Sequence, residues 1–359
     1  MVDDMKNVPD PFNSKRVKKS YHFNDLFERL FLFWTGIIAF GFSVLLLIGM
    51  TVCYLLKPDA FAALTFFPAW GWGVAGLIIS FGSLLYKRRI CFALLSGWLL
   101  FIFIYAEEPV SLFRAIHCPF SKWQKLPAQK KVVVISLNCA GGNMEAVREI
   151  APYSPDIVLL QEVPSSKDEI LSFAESLFGD DAGVAHGADT AIIVRGKLEE
   201  VSLGKPKNIF MTQARITLSS GFETEVICLR LKPPEIGVNI LSPSCWANHE
   251  RDRESRRKQI DQIVEQFDNF SDTIPIIVGG DFNVPARDGC MEALKPFVSD
   301  TFVKGGVGWG HTAINSLPLF RVDQIWASSE CNPVAVFARE TKHSDHRMVI
   351  CYLEIESEN

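Results

Sequence analysis

The chain has 359 residues, enough for two or three folding units, and a hydrophobic fraction of 48% that is high for one water-soluble globule. Residues 1–130 carry fourteen basic and eight acidic side chains (+6), whereas residues 131–359 carry 22 basic and 33 acidic ones (−11). An acidic domain disfavours tight, non-specific binding of nucleic acid, because contacts to phosphate depend on lysine and arginine.

Three uncharged apolar runs follow the polar N-terminal tail and hold almost all of the hydrophobic excess. They cover residues 30–56, 60–86 and 90–106. The first two exceed the roughly 20 residues that a helix needs to cross a bilayer, and the third is near the short end of the range. The sequence therefore predicts a membrane region of three helices over residues 30–106, with the lipid bilayer as its partner. A buried or interfacial helix is the alternative for the third run.

Two basic clusters set the predicted orientation of these helices. They lie at residues 15–19 and 87–89, and the positive-inside rule places both in the cytoplasm. A cytoplasmic tail of residues 1–29 and an extracytoplasmic domain then make this a multi-pass protein of the cell membrane. If the third run does not span, the domain lies in the cytoplasm instead. Residues 107–130 lack periodicity and are predicted to form a linker.

Strands and helices alternate from residue 131 onward, which is typical of an α/β fold. The two glycines of the stretch Gly279-Gly280-Asp281 are expected to let the backbone turn tightly where a strand stops. The predicted strands cover residues 132–138, 156–160, 190–194, 209–218, 223–231, 275–278, 321–326 and 348–353, and the predicted helices cover residues 144–150, 167–178, 248–267 and 290–294.

The nine cysteines form no CxxC pair and no cysteine–histidine zinc pattern. Four of them lie in loop-like sequence and could pair, which leaves the redox compartment open. These four are Cys118, Cys245, Cys290 and Cys331.

Polar side chains collect at the ends of the predicted strands, where packing does not require them. Asp281 and Asn283 are two residues apart on an extended segment, so both can face one site. Carboxylate and amide oxygens suit Mg²⁺, and no cysteine- or histidine-rich cluster competes for a softer metal. Each position alone could be a strand-end cap or a loop turn, but their shared placement favours one site. The other positions are Asn138, Glu162, Asp323 and the His-Ser-Asp-His loop of residues 343–346.

The motifs around these residues resemble the ordered motif set of the endonuclease/exonuclease/phosphatase superfamily. They read ISLNCAGGN, PDIVLLQEV, GGDFNVP, RVDQIWAS and HSDHRMVI, and the similarity spans residues 131–355. The resemblance implies a four-layer α/β sandwich, two β-sheets flanked by helices, for residues 131–359, preceded here by a transmembrane helical region. Some bacterial members look similar in carrying an N-terminal membrane anchor.

The resemblance also implies roles for single residues. Glu162 would bind the divalent metal, Mg²⁺ with Mn²⁺ as the alternative, and Asn138 and Asp345 would assist. Asp281 would activate or position the attacking water. Asn283 would orient the phosphate or that water.

His346, held by Asp323, would by the same resemblance stabilise charge on the scissile phosphate. One position departs from the family pattern, since many members have a histidine where this chain has Arg230. An arginine stays protonated and cannot act as a general acid, but it can clamp a phosphate oxygen. Pairing with a surface acid is its alternative role. The basic run at residues 251–258 faces either an anionic substrate or solvent.

The resulting expectation is a membrane-anchored, divalent-metal-dependent phosphoesterase that hydrolyses a phosphodiester in nucleic acid or in a phospholipid headgroup, with a phosphomonoester as the alternative substrate. The alternative, motivated by Arg230, is a catalytically weak or silent membrane-tethered binding or scaffold domain of the same fold. No protein partner can be inferred. The apolar runs contain no charged residue and therefore give no indication of transport.

Overall fold

The structure, a computed structural model, describes residues 11–201, 209–235, 239–267, 270 and 274–355, without the side chains of residues 11–25. The chain divides into two compact units. The first contains Met1–Val52 and Trp70–Tyr105, and the second contains Cys53–Ala69 and Ala106–Asn359. Of the predicted basic tail, residues 1–10 lie outside the described residues, and the remainder begins the first helix.

Apolar helices form the N-terminal part of the chain. Two of them, Leu26–Leu56 and Arg88–Tyr105, are long and apolar enough to cross a membrane. A third span arises only if Asp59–Phe66 and Ala69–Leu85, which meet at an angle of 77°, act as one. In chain order the helices are α1 (Pro11–Leu56), α2 (Ala62–Phe66), α3 (Ala69–Gly82) and α4 (Arg88–Tyr105), with α2 belonging to the second unit.

Small residues bring the helices of the first unit together. The hydroxyl of Ser43 lies 2.8 Å from that of Ser80 and accepts a hydrogen bond of 2.9 Å from the indole nitrogen of Trp98. A Cβ atom at Gly76 would lie 2.0 Å from the Trp98 ring. Close approach at small residues, joined by polar side chains, is how apolar helices associate when hydrophobic contrast is weak.

The sequence predicts one continuous helix for the second apolar run, but in the structure this run is broken. Phe67 has an extended conformation (φ −71°, ψ 147°) because the ring of Pro68 disfavours the helical region for the residue before it. Residues 107–130, expected as an irregular linker, contain two short helices. These are α5 (Glu108–Ile116) and α6 (Phe120–Gln124).

The second unit contains all strands among the described residues. Most elements match the predicted ones within a few residues, but the strands β3, β8 and β10 and the short helix α10 were not predicted. The elements are β1 (Lys131–Asn138), α7 (Met144–Arg148), β2 (Ile157–Gln161), α8 (Lys167–Phe178), β3 (Ala182–His186), β4 (Thr190–Glu200), β5 (Phe210–Leu218), β6 (Glu223–Arg230), α9 (Pro243–Phe267), β7 (Ile276–Asp281), a 3₁₀ helix (Gly289–Leu294), β8 (Ser299–Asp300), α10 (Thr301–Gly305), β9 (Asp323–Ala327), β10 (Cys331–Arg339) and β11 (Met348–Ile355).

The strands form two half-sheets that share β4. Hydrogen-bonded neighbours follow the order β10–β11–β1–β2–β4–β5–β6–β7–β9–β8, and β3 pairs with β4 outside this path. The first half of β4 pairs with β2 and the second half, from Gly196, pairs with β5. Gly196 has φ +147°, and a Cβ atom there would lie 2.3 Å from the carbonyl oxygen of Thr217. Glycine is therefore required where β4 passes from one half-sheet to the other.

Three apolar clusters lie between the layers of this unit. The central cluster combines inward side chains of both half-sheets, including Leu159 from β2 and Ile277 from β7. A second cluster packs Ile170 of α8 against the outer face of the first half-sheet. The third packs Ile260 of α9 against the outer face of the second. The order helix, sheet, sheet, helix confirms the predicted four-layer sandwich.

The sequence suggests that the two glycines before Asp281 form a turn at the end of a strand. In the structure they lie inside β7 instead. A Cβ atom at Gly279 would lie 2.5 Å from the side chain of Leu159 in the facing half-sheet. Gly280 has φ +147°, and its Cβ would lie 1.9 Å from the carbonyl oxygen of Leu229 in β6. Both glycines therefore allow close packing in front of Asp281.

None of the nine cysteines forms a disulfide bond, so the pairings considered from the sequence are not present in the structure. Cys118 is exposed, and the other eight are buried.

Two members of the basic run of α9, Arg253 and Arg256, are buried, whereas Arg251 and Lys258 are exposed. Arg253 is fully buried and donates to Asp288 at 2.8 and 3.1 Å and to the carbonyl oxygens of Lys57 and Pro58 at 3.2 and 3.1 Å. It also bonds the hydroxyl of Thr65. Arg253 thereby ties residues 57–65 into the fold of the second unit.

Replacing Arg253 with leucine should destabilise this unit by about 3–5 kcal/mol, because Asp288 would remain buried without its cation. The denaturation midpoint of the detergent-solubilised full chain, followed by pulse proteolysis, measures the change. Arg251→Leu is the matched control, since Arg251 is exposed on the same helix. Equal midpoints for the two variants would contradict the structural role of Arg253.

Candidate active site

Strand ends from both half-sheets meet at one edge of the sandwich. In the first half-sheet Asn138 is in register with Gln161, the residue before Glu162. In the second, Arg230 is in register with Asp281, and Asp281 with Asp323. The sheet pairing therefore gathers polar residues that are far apart in the sequence.

Asn138 links the acidic groups of the two half-sheets. Its side-chain nitrogen donates to Glu162 at 3.1 Å and to Asp281 at 3.2 Å. The other oxygen of Glu162 accepts a hydrogen bond of 2.8 Å from the backbone N–H of Gly141. Glu162 has φ +50°, an uncommon conformation for this residue type, and the surrounding contacts hold it there. The Glu162 carboxylate is thus fixed by side-chain and backbone donors.

Asn283 supports Asp281 directly. Its backbone N–H donates to one oxygen of Asp281 at 2.9 Å, and its side-chain nitrogen donates to the other at 3.1 Å. The same nitrogen also donates to the carbonyl oxygen of Leu231 at 2.9 Å. Asn283 has φ +52°, which asparagine tolerates better than most residues. In this structure its amide nitrogen therefore orients the carboxylate of Asp281.

His346 is held by the carboxylate of Asp323, as the resemblance implied. Their Nδ1 and Oδ2 atoms are 2.8 Å apart. The backbone of His346 donates to the hydroxyl of Ser344, which itself donates to the carbonyl oxygen of Asn138 at 2.7 Å. These bonds join the loop before β11 to the end of β1. Asp345 is exposed, and its charge is close enough to help raise the pKa of His346.

Burial and neighbouring charges shift the protonation of the two central groups. Burial and the charge of Asp323 raise the pKa of Asp281 to about 7, against the opposing pull of His346, the Asn283 N–H and Arg230. Burial alone would lower the pKa of His346, but Asp323, Asp281 and Asp345 outweigh it and raise the value to about 10. His346 is consequently an imidazolium at neutral pH.

Arg230 lies in the site and binds two acids. One guanidinium nitrogen is 2.7 Å from Glu162, and another is 2.9 Å from Asp189. These contacts raise the pKa of Arg230 despite its partial burial, so it stays cationic. Asp189 was not recognised from the sequence, although its place just before β4 is a strand-end position of the kind used to find the others.

Two sets of residues could hold a metal ion. Ligand atoms of Asp281, Asp323 and His346 lie within 4.8 Å of one another, but a protonated imidazole is not a metal ligand. Glu162 supplies carboxylate oxygens that suit Mg²⁺, whereas the nearby Asn138 turns its amide nitrogen to Glu162 and its amide oxygen to the backbone N–H of Ala140. The chemistry of this second set fits a hard divalent cation, and Arg230 partly neutralises it in the structure.

Replacing Asp323 with asparagine should lower the pKa of His346 from about 10 towards its usual 6.5, because the largest stabilising charge is lost. NMR of ¹³C-labelled histidine in the full chain with chelator measures this titration. The folded state binds the proton of His346 more tightly than the unfolded chain does. The ion pair of His346 and Asp323 therefore stabilises the fold fully below about pH 6.5, and this stabilisation is lost as the pH rises through about 10. Asp345→Asn is the control and should cause a smaller decrease. A wild-type value near 6.5 would contradict the assignment.

Comparison with known proteins places this geometry in a family. The sequence profile of the Endonuclease/Exonuclease/phosphatase family matches residues 135–346, whereas no curated protein matches the chain. Similar solved structures include a humanized D. rerio TDP2 carrying 14 mutations (18% identity, 63% of this chain and 99% of that one, TM-score 0.48). Another is the human Nocturnin catalytic domain with bound sulfate (17% identity, 64% of this chain and 97% of that one, TM-score 0.48). A third is an endonuclease/exonuclease/phosphatase from Beutenbergia cavernae (16% identity, 64% of this chain and 72% of that one, TM-score 0.49).

The profile match covers more than half of the chain, and it begins within β1 and ends at His346, so it includes both ends of the site. Its members are hydrolases that act on phosphoester bonds. The chain belongs to the endonuclease/exonuclease/phosphatase family.

Proposed function

We propose that the protein is a membrane-anchored, divalent-metal-dependent phosphoesterase that hydrolyses a phosphodiester. The observation that carries the proposal is the buried Asp281, which lies between a fixed carboxylate, Glu162, and a charged imidazolium, His346. A base, a metal ligand and a cation at one sheet edge are the groups that phosphate ester hydrolysis needs.

Each residue has a distinct chemical task in this proposal. A divalent ion, Mg²⁺ or Mn²⁺, would be held by Glu162 with Asn138 and Asp345, and it would supply Lewis-acid stabilisation of phosphate charge. Asp281 takes a proton from the attacking water, a task suited to a carboxyl whose pKa is about 7. His346 places its positive charge on a phosphate oxygen, and Asp323 keeps the imidazole oriented.

Arg230 stands where the resemblance to the family implies a histidine, and it motivates the rival proposal of a silent binding domain. It cannot donate a proton near neutral pH, and it lies against Glu162, where a metal ligand is needed. Asp189 holds the other side of its guanidinium at 2.9 Å. In the enzyme proposal Arg230 keeps this anchor and turns its free N–H groups to a phosphate oxygen.

A phospholipid substrate is supported over nucleic acid by a hairpin beside the site, residues 313–320, whose ends pair through Ala313 and Phe320. Asn315 in this hairpin donates from its backbone to the carbonyl oxygen of Asp345 at 2.7 Å, and Arg347 donates back to Asn315 at 3.0 Å. An exposed aliphatic tip next to the phosphate-binding residues suits an ester with a hydrocarbon part, and the −11 charge of residues 131–359 disfavours polyanions. The exposed aliphatic residues are Ile314, Leu317 and Leu319.

Glu162→Gln should reduce kcat by about 100-fold or more in the presence of Mg²⁺, equivalent to about 2.7 kcal/mol of lost transition-state stabilisation. The assay uses the full chain in detergent with phospholipids, oligonucleotides and soluble phosphodiesters, with and without Mg²⁺. Glu169→Gln, an exposed change on α8, is the matched control. Equal turnover of wild type and Glu162→Gln would refute the enzyme proposal, and wild-type metal binding without hydrolysis across the panel would favour the silent domain.

We further infer that the N-terminus and the phosphoesterase domain lie on opposite sides of the membrane. Residues 57–66 follow α1 and belong to the same folded unit as the domain. Asp59 binds Arg257 through two bonds of 2.6 and 2.8 Å, and Lys57 lies 2.5 Å from Glu292.

Parts of one folded unit must share a side of the membrane, so the chain crosses twice or not at all between residues 69 and 106. Because either case returns the chain to the same side, the single crossing by α1 decides that the tail and the domain lie on opposite sides of the membrane. This reasoning no longer depends on whether the third apolar run spans. The basic clusters of the tail and of residues 87–89 support a cytoplasmic N-terminus and an extracytoplasmic domain.

Cysteines introduced on the two sides should differ in their reaction with a membrane-impermeant maleimide. In a Cys118→Ser background the other native cysteines are buried. Lys167→Cys, on exposed α8, should react in right-side-out membrane vesicles, whereas Lys87→Cys should react only after permeabilisation. Protection of Lys167→Cys, or equal labelling of both, would overturn the proposed orientation.

A further inference from the structure

Helix α5 has its polar face turned into the protein. Glu108 binds the imidazole of His311 at 2.7 Å, and the carbonyl oxygen of Ser111 accepts from the backbone N–H of Gly308 at 2.8 Å. Arg114 donates to the carbonyl oxygen of Val303 at 3.1 Å. These three residues of α5 are three apart and share one face of the helix. Hydrogen bonds therefore fix α5 on residues 303–311.

The opposite face of α5 is apolar and exposed. Phe113 and Ile116 have exposed fractions of 63% and 75%, and Val110 and Leu112 are also exposed. A helix on the surface of a water-soluble domain normally shows the reverse arrangement, with its apolar stripe towards the core. Several large apolar side chains displayed together mark a surface that another apolar phase covers.

A basic cavity adjoins this apolar face. It has a volume of about 290 Å³, and Phe113 from α5 forms part of its wall. Among the described residues its lysines make one ion pair, the exposed and therefore weak contact of Lys122 with Glu354 at 3.2 Å. The size and charge suit a single phosphate group. The basic side chains that line the cavity are Arg114, His117, Lys122 and Lys304.

The covalent chain places α5 close to the end of a helix that can cross a membrane. Helix α4 ends at Tyr105 and α5 begins at Glu108, so the connection spans at most about 10 Å. An amphipathic helix in this position, with an apolar face and a basic rim, has the composition of an interfacial membrane helix. A protein partner would not explain why the apolar face begins directly after a membrane-spanning segment.

We propose that α5 and the adjoining cavity form a docking site for an anionic lipid bilayer. The side chains of Val110, Leu112, Phe113 and Ile116 enter the boundary between headgroups and acyl chains. The cavity between α5 and Lys304 holds the phosphate of an anionic headgroup. This site is separate from the catalytic groups, and it stands whether or not the domain hydrolyses phosphodiesters.

Cys118 provides the reporter for a test, because it lies two residues beyond α5 and is exposed. The full chain is labelled there with an environment-sensitive fluorophore and reconstituted into nanodiscs. The bilayers contain phosphatidylcholine with a small fraction of phosphatidylglycerol, and either lipid carries bromine atoms that quench nearby fluorophores. We expect both brominated lipids to quench, and brominated phosphatidylglycerol to do so with higher apparent affinity.

Two double variants separate the parts of the site. Phe113→Ser with Ile116→Ser should reduce quenching by both lipids, because the apolar face is lost. Lys122→Glu with Lys304→Glu should lower the preference for phosphatidylglycerol by at least about fivefold, since each basic residue near an anionic surface contributes about that factor. Phe210→Ser and Lys167→Glu, exposed changes outside the cavity lining, are the matched controls and should change neither signal.

The proposal fails if neither brominated lipid quenches the wild type, which would mean that α5 meets water or a protein. It also fails if both lipids quench equally and the lysine variants have no effect, because the cavity would then not bind a headgroup. A proteolysis pattern identical to the wild type is required of each variant, so that a loss of fold is not read as a loss of docking. Loss of hydrolysis in Glu162→Gln leaves these quenching results unchanged, so failure of the docking site and failure of the enzyme proposal are distinguishable.

Discussion

The site depends on one buried charge arrangement at the end of β7. Asp281 and Asp323 lie opposite each other on paired antiparallel strands, and both are almost fully buried. Like charges in that position repel and would destabilise the sheet. The imidazolium of His346 compensates by binding Asp323, and the donors of Asn138 and Asn283 satisfy Asp281. Burial, and after it the charge of Asp323, raises the pKa of Asp281 to about 7, which is the property that the proposed role of a base near neutral pH requires.

Close packing in the sandwich makes this arrangement possible. Gly279 allows Leu159 of the facing half-sheet to approach, and Gly280 allows β6 to pair tightly in front of Asp281. Gly196 lets β4 serve both half-sheets, so that the end of β2 with Glu162 and the end of β7 with Asp281 reach the same edge. The distance between the two carboxylates is thus set by backbone positions that only glycine fills. Asn138 then joins the two carboxylates with a single side chain.

Much of this could be predicted from the sequence, because strand-end residues follow a simple rule of sheet geometry. The helix at Lys167–Phe178 is predicted by the helical spacing of its apolar residues, the strand ending at Asn138 by its run of β-branched residues, and the four-layer arrangement by resemblance to a family. Asp189 was missed because a lone acid before a strand carries no spacing signal, and its partner Arg230 is 41 residues away. Arg253 was misjudged because a run of arginines on a helix is usually solvated, whereas this one is buried against Asp288. Only tertiary packing distinguishes the two cases.

The segments that flank the apolar helices are part of the second unit, and they support the strand that carries Asp323. Arg321 is buried two residues before Asp323 and is held by Glu107, at 2.8 and 2.9 Å, and by Asp300. Phe66, from the segment after α1, packs against Phe320 with ring centres 5.1 Å apart. A fragment that begins after residue 120 would lack both contacts, so Arg321 would keep Asp300 but lose Glu107, and Arg253 would keep Asp288 but lose the carbonyl oxygens of Lys57 and Pro58. Burial raises the pKa of Glu107, but its two arginine neighbours and His311 lower it overall, so this support persists at neutral pH and weakens only as Glu107 is protonated in acid. The segments that adjoin the apolar helices therefore also support the geometry of the site, which makes the full chain the appropriate form in which to measure activity.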